Sequence, residues 1–137
     1  VLLPFASPYN PVDVTGSAVD EHLVEAIDIL LRSGEVDSVL WLPYYMVPGI
    51  TPELNRKFLS RVRKVFQELN RVVPIVGVAT GGSYTATYAR EAESMGIPMY
   101  ISPERAAKAL KALVDYGRWL KRVGTFDYYI EKYFKVG

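Results

Sequence analysis

The sequence predicts a layered α/β domain with a mostly parallel sheet. Two observations carry this. Short apolar runs alternate along the chain with stretches whose apolar residues recur at helical spacing. The helical stretches also open on hydroxyl caps or close on glycine, so the elements have defined limits. Alternation of this kind places helices on both faces of a parallel sheet, with right-handed crossovers.

The elements follow in order. Residues 1–11 hold Pro4, Pro8 and Pro11 and read as an extended lead-in. Val12-Asp13-Val14-Thr15 is a short strand candidate ending at Gly16. From Asp20 to Arg32, Leu23, Ile27, Leu30 and Leu31 predict a helix, stopped by Ser33-Gly34. Val39-Leu40-Trp41-Leu42 is apolar throughout, as suits a strand buried on both faces. After a loop rich in proline and tyrosine, Thr51-Pro52-Glu53 is a helix start: a capping hydroxyl, a proline and an acid. Leu54, Phe58, Val62, Val65, Phe66 and Leu69 form its apolar stripe.

Pro74 to Ala79 is the next strand, and Thr80-Gly81-Gly82-Ser83 turns into a helix running to Met95. Ile97 to Ile101 is a short strand. Ser102-Pro103-Glu104 repeats the start signal ahead of a long helix lined by Ala106, Leu110, Leu113, Val114, Gly117 and Leu120. The pattern is β-α-β-α-β-α-β-α, and the expected sheet order is flavodoxin-like. The tail from Thr125 to Gly137 sets Phe126, Tyr129, Ile130, Tyr133 and Phe134 at helical spacing, which suits a helix packed on this domain or on a partner.

Composition narrows the function. A chain of 137 residues, half apolar and 23% charged, suits one soluble domain with a core of its own. A net charge of +1 argues against nucleic acid or an anionic membrane as main partner. The absence of cysteine removes a disulfide scaffold, a thiolate metal site and a cysteine nucleophile, and is compatible with the cytoplasm. No apolar run reaches the ~20 residues needed to span a bilayer. The first residues, Val1 to Phe5, lack the basic region of a signal peptide, and the chain lacks an initiator methionine; it reads as a piece of a longer one.

Ligands of open parallel sheets bind at the carboxyl ends of the strands. Four segments gather there: Thr15-Gly16-Ser17, Pro43 to Thr51, Thr80-Gly81-Gly82-Ser83, and Ser102. Each precedes a helix, whose free N–H groups and partial positive charge favour carboxylate or phosphate. A plain structural reading stands beside this one, since Gly-Gly before a helix is common and hydroxyl caps serve helix stability alone. Neither G-x-x-x-x-G-K-S/T nor G-x-G-x-x-G occurs.

His22, the only histidine, reads as solvent-facing or structural, and no second histidine supports a metal site. Asp20, Glu21, Glu25 and Asp28 read as a solvated acidic face. Asp13 is either satisfied by backbone N–H groups of a neighbouring loop or part of a site. Tyr44-Tyr45-Met46-Val47 reads as an exposed aromatic patch that meets another domain or subunit.

Two motifs are more specific. Asn10-Pro11-Val12-Asp13-Val14-Thr15-Gly16-Ser17-Ala18 resembles the N-P-V-D-L-T-G-S-A signature of the ADP-forming acyl-CoA synthetases, relatives of succinyl-CoA ligase. Gly96 to Tyr100 followed by Ser102 to Leu113 resembles that family's G-I-P-v-y-x-x-P-E-R-A-v-x-A-L-x-A-L segment. Gly81-Gly82-Ser83 aligns with its G-G-x-S step. The resemblance runs from about Pro4 to Leu120.

It implies a succinyl-CoA-ligase-like flavodoxin domain, a three-layer αβα sandwich, over residues 12–122, with a tail over 123–137. The family's domain opens with a further strand and glycine-rich turn, so the first βα unit is either upstream of residue 1 or absent. The family's reaction converts acyl-CoA, ADP and phosphate into acid, CoA and ATP, through an acyl phosphate and a phosphohistidine. That histidine lies in another domain, within S-H-T-G, and His22 does not match it. No catalytic residue is therefore carried over, and the isolated chain is expected to be inactive.

The resemblance implies one wall of the acyl-phosphate and phosphohistidine site. Gly16, Ser17, Gly49, Thr51, Gly81, Gly82 and Ser83 would face substrate or phosphate; Asn10, Asp13 and Thr15 would shape the motif. It implies no cofactor held by this domain alone, with CoA, ATP or ADP and Mg2+ in the full-length enzyme. The implied partners are the CoA-binding, phosphohistidine and ATP-grasp domains and an acyl substrate, in an oligomeric enzyme. In relatives the loop at Leu42 to Gly49 holds small residues; here it is bulky. Two other readings remain: a non-catalytic regulatory or assembly module, for example fused to an acetyltransferase, and a free-standing binder of flavin or nucleotide.

Overall fold

A computed structural model describes residues 3–133 of the chain. Its centre is a three-stranded parallel sheet in the order β1-β2-β3 (Val39–Trp41, Ile75–Val78, Met99–Tyr100). Val39 pairs with Ile75, Trp41 with Gly77, and Gly77 in turn with Met99. The helices are α1 (Asp20–Ser33), α2 (Leu54–Leu69), α3 (Ala86–Ser94), α4 (Pro103–Arg122) and α5 (Phe126–Tyr133).

One face of the sheet carries α1, α2 and α3. There Ile27 and Leu31 of α1, Leu54, Phe58, Val62 and Val65 of α2, and Ala92 of α3 bury against Trp41 and Ile75. Trp41 and Phe58 stack at 4.1 Å between ring centroids. Burial of a side chain like Phe58 is worth about 2–3 kcal/mol, so this stripe, rather than helix propensity, holds α2 in place. The other face carries α4, with Ala106 and Leu110 against Val76 and Val78. The result is an αβα sandwich of the flavodoxin-like kind, and β2, buried along its whole length, is the central strand.

Helix ends fall where local chemistry puts them. Gly34 closes α1 in the left-handed conformation at φ 73°, and Asn70 does the same for α2 at φ 46°. Ser102 caps α4, its hydroxyl accepting the Arg105 N–H at 3.3 Å. α5 folds back on α4 through rings: Tyr129 meets Tyr116 edge-on at 5.5 Å, Tyr116 stacks on Trp119 at 5.6 Å, and Lys121 lies over Phe126. Phe134, the last residue of the predicted tail stripe, lies outside the described residues, as do Val1 and Leu2.

Two elements differ from expectation. Val12 to Thr15 is not a strand of the sheet; its one bridge is antiparallel, between Ser7 and Asp13. Turn-forming side chains claim its backbone instead: Asp13 Oδ1 accepts the Thr15 N–H at 2.7 Å, and Thr15 Oγ1 accepts the Ser17 N–H at 3.3 Å. The helix after Gly81-Gly82 also starts later than predicted. Gly82–Tyr84 is one 3-10 turn, and α3 begins at Ala86.

Candidate functional site

The carboxyl ends of β1 and β2 lead into the loops before α2 and α3, and the loop before α1 lies against the first of them. Asp13 is exposed and its carboxylate holds the Thr15 N–H two residues on, so the backbone satisfies it locally. Thr15 adopts φ 71°, which turns the chain sharply into Gly16 and Ser17, both exposed.

Gly49 nests against this loop. Its φ is 94°, and a Cβ built there would lie 3.0 Å from both the Ala18 carbonyl oxygen and Val19 Cγ1. The Asp20 N–H donates to the Gly49 carbonyl at 3.3 Å. The loop before α1 and the loop before α2 therefore meet backbone to backbone.

The Asp20 side chain completes that junction. It is fully buried, unlike the solvated face its helix position predicts. Its carboxylate accepts the Thr51 N–H at 2.9 Å, the Thr51 hydroxyl, and Lys57 Nζ at 2.9 Å. Lys57 also reaches Glu21 at 2.9 Å. Burial pushes the Asp20 carboxyl up, and the hydrogen bonds from Thr51 and Lys57 together more than offset it, leaving it below the usual carboxylate range. The rest of the acidic cluster divides: Glu21 and Glu25 are exposed, while Asp28 is partly buried between Arg32 and Arg61.

His22 has a structural task. Its Nδ1 accepts the Val19 N–H at 3.1 Å, while the His22 backbone N–H donates to the Val19 carbonyl at 3.0 Å. That is a reciprocal cap at the start of α1, with histidine in the place glutamate or glutamine more often takes.

Within the aromatic loop, alternate residues point opposite ways. Tyr44 and Met46 are exposed, whereas Tyr45 is buried. The Tyr45 hydroxyl donates to Asn55 Oδ1 at 2.8 Å, and Asn55 Nδ2 donates to the Tyr88 carbonyl and to Glu91. Burial pushes the Tyr45 phenol well above its ordinary value of 10. Asn55 escaped the reading of the sequence. The available signal was a polar residue beside Leu54 on the stripe that also holds Phe58, Leu59 and Val62.

Gly81, Gly82 and Ser83 are exposed at the end of β2, with φ 128° and 67° at the two glycines. The buried Thr85 hydroxyl donates to the Gly82 carbonyl at 3.3 Å and fixes the turn from beneath. Between the starts of α2 and α3 lies a groove of about 350 Å³, lined by Pro52, Glu53, Arg56, Thr87, Tyr88 and Glu91. Arg56 and Glu91 pair across it at 3.2 Å. Among the described residues, no cluster of three His, Cys, Asp or Glu is placed to hold a metal ion. Among them, too, no helix is long and apolar enough to cross a membrane.

No protein-family model matches the chain. It is 37% identical over 120 residues to the alpha subunit of acetate–CoA ligase (ADP-forming) I of Pyrococcus furiosus, covering 85% of this chain and 24% of that one. It is 34% identical over 118 residues to the alpha subunit of the second such ligase of that organism, covering 83% of this chain and 24% of the subunit. The solved apo structure of dinucleotide-forming acetyl-coenzyme A synthetase 1 from Candidatus Korarchaeum cryptofilum aligns with TM-score 0.65 at 26% identity, over 97% of this chain and 27% of that one. The chain thus spans about a quarter of the length of these relatives. By sequence and by fold, it is a homologue of one segment of the ADP-forming acetate–CoA ligases, the acyl-CoA synthetases that its motifs resemble.

Proposed function

We propose that the chain works as one domain of an ADP-forming acyl-CoA synthetase, forming one wall of its acyl-phosphate and phosphohistidine site. The observation that carries this is the 37% identity over 120 residues to an acetate–CoA ligase alpha subunit. The geometry supports a division of labour along the wall. Gly16, Ser17, Gly81, Gly82 and Ser83 are exposed and offer backbone N–H groups at two helix approaches. The Thr51 N–H and hydroxyl are taken by Asp20, so Thr51 and Gly49 hold the wall's shape. Asp13 and Thr15 set the turn that presents Gly16.

Three further assignments follow from this reading. The catalytic histidine, the CoA and the nucleotide with its Mg2+ are assigned to sibling domains, as the family resemblance implies, and His22 is engaged as a helix cap. The partners are then CoA-binding, phosphohistidine and ATP-grasp domains, in an oligomeric cytoplasmic enzyme with a small acyl substrate.

A second reading is a non-catalytic regulatory or assembly module. The exposed Tyr44 and Met46 favour it, since bulky apolar side chains on this loop suit a protein partner better than a phosphoryl group.

Turnover of acetate, CoA and ATP decides between them. The first reading expects turnover from the full-length protein containing this chain, none from the chain alone, and a drop of about tenfold or more for Gly82→Val in the full-length protein. Full-length protein that is folded and supplied with every partner subunit, yet inactive, would favour the second.

A further inference from the structure

We propose that the seam between α2 and α3 is a docking groove for an acidic segment of a partner protein, whose carboxylates meet Arg56, Arg63 and Lys64. The proposal goes beyond the functional reading above and does not rest on it.

The groove encloses about 430 Å³ between α2 and the end of α3. Along α2, Arg56, Ser60, Arg63 and Gln67 recur at i, i+4, i+7 and i+11, which makes one straight stripe. Lys64 flanks that stripe. Leu59, buried, and Met95, half-buried, supply apolar surface beside it. Among the described residues, three cations line the groove and no acid does.

Those cations are largely unspent within the domain. α2 carries five. Lys57 and Arg61 turn to α1, where Asp20, Glu21 and Asp28 take them. The other three face the groove. Arg56 gives only its Nε to Glu91, at 3.2 Å, and its side chain stays 72% exposed. Arg63 donates to the Met95 carbonyl at 3.2 Å, a neutral acceptor that leaves its charge uncompensated. Lys64 lies 3.9 Å from Glu68, a carboxylate that Arg32 holds at 2.5 Å. The seam is thus a strip of excess positive charge on a chain whose net charge is only +1.

The layout selects the kind of anion. Lys64 follows Arg56 by eight helical residues, a rise of about 12 Å. A lone phosphate needs donors that converge on one group of oxygens. Here the walls are helix sides, whose backbone N–H groups are already bonded within the helix, so scattered side chains are the donors. No aromatic ring lines this stretch among the described residues, so a nucleotide base has nothing to stack on. Charge spread along the seam, with apolar surface beside it, fits carboxylates on successive turns of a peptide segment that also carries an apolar side chain.

The test titrates the 137-residue chain with a synthetic helical peptide of about 16 residues. It bears glutamate at i, i+4 and i+7 on one face, with leucine beside them. Two further ligands serve as comparisons: the same peptide with glutamine for every glutamate, and ATP. Binding is followed by NMR at the Met95 methyl group. The acidic peptide is expected to shift that signal to saturation, and the glutamine peptide to bind at least about tenfold more weakly. Raising salt from about 50 to about 300 mM should weaken the acidic peptide severalfold.

Arg63→Gln combined with Lys64→Gln is expected to cut affinity about fivefold or more, whereas Arg122→Gln, exposed at the end of α4, should change it less than about twofold. Should the double variant fail to fold, Lys64→Gln alone alters an exposed side chain and is expected to cost about twofold or more. No response of Met95 to the acidic peptide at about 1 mM would overturn the proposal. So would equal binding of the two peptides, or tighter binding of ATP at the same methyl group.

Discussion

Tyr45 and Asn55 meet across the interior, hydroxyl to amide oxygen, at 2.8 Å, and Tyr45 lies flat on the ring of Tyr88 at 4.8 Å. One residue of the aromatic loop is thereby tied to α2 and α3 together. Removing its hydroxyl leaves Asn55 Oδ1 buried without that donor. Tyr45→Phe is expected to cost about 1–3 kcal/mol. Tyr44→Phe, altering a neighbour exposed to solvent, is expected to change stability by less than about 0.5 kcal/mol. Urea denaturation of both variants checks the contrast.

Gly49 gives a steric prediction. Gly49→Ala sets a Cβ 3.0 Å from the Ala18 carbonyl and Val19 Cγ1, on a backbone at φ 94°. A cost of about 1–3 kcal/mol is expected. Gly16→Ala meets nothing within 4 Å and is expected to be tolerated. Equal thermal midpoints for the two variants would contradict the packing of the two loops.

Acid should weaken the Asp20 junction. Burial pushes its carboxyl up, but Thr51 and Lys57 bring it below its ordinary 3.8. The folded state therefore binds the proton less tightly than the unfolded one. The resulting stabilisation is fully present above about pH 4 and is lost as pH falls through the folded value. Native chain is expected to exceed Asp20→Asn in stability at neutral pH by roughly 1–3 kcal/mol, since a buried acceptor for several donors is weakened. The margin should narrow below about pH 4. Unfolding curves across that range decide the matter; a margin that holds constant into strong acid would assign it to something other than charge.

The core stripe of α2 makes the largest expected effect. Phe58 is almost wholly buried and stacked on Trp41. Phe58→Ala should cost about 3–5 kcal/mol, and Phe58→Leu markedly less. Calorimetry of the two variants measures the difference.

What could be read from the sequence was what is local. The start of α4 and the glycine that stops α1 are written in adjacent residues, and the runs at Val39 and Pro74 are apolar enough to mark buried strands. Val12 to Thr15 misled because Val, Val and Thr suit a strand while Asp13, Thr15 and Ser17 suit turns, and side-chain bonds over two residues decided it. Asp20 misled for the opposite reason. Its partner Thr51 is remote in sequence, so nothing near Asp20 distinguishes a buried acid from a solvated one. The carboxyl-edge loops were legible as a group; how Asp20 and Gly49 lock two of them together was not.

The ring cluster between α4 and α5 has a practical consequence. The chain holds two tryptophans, and they sit in opposite surroundings: Trp41 is 6% exposed in the core, while Trp119 is 44% exposed beside Tyr116. Their fluorescence should differ in colour, blue for the first and red for the second. Chains carrying Trp119→Phe or Trp41→Phe would then report separately on the sandwich and on the helical hairpin. Detachment of α5 could be watched optically while the sheet stays intact.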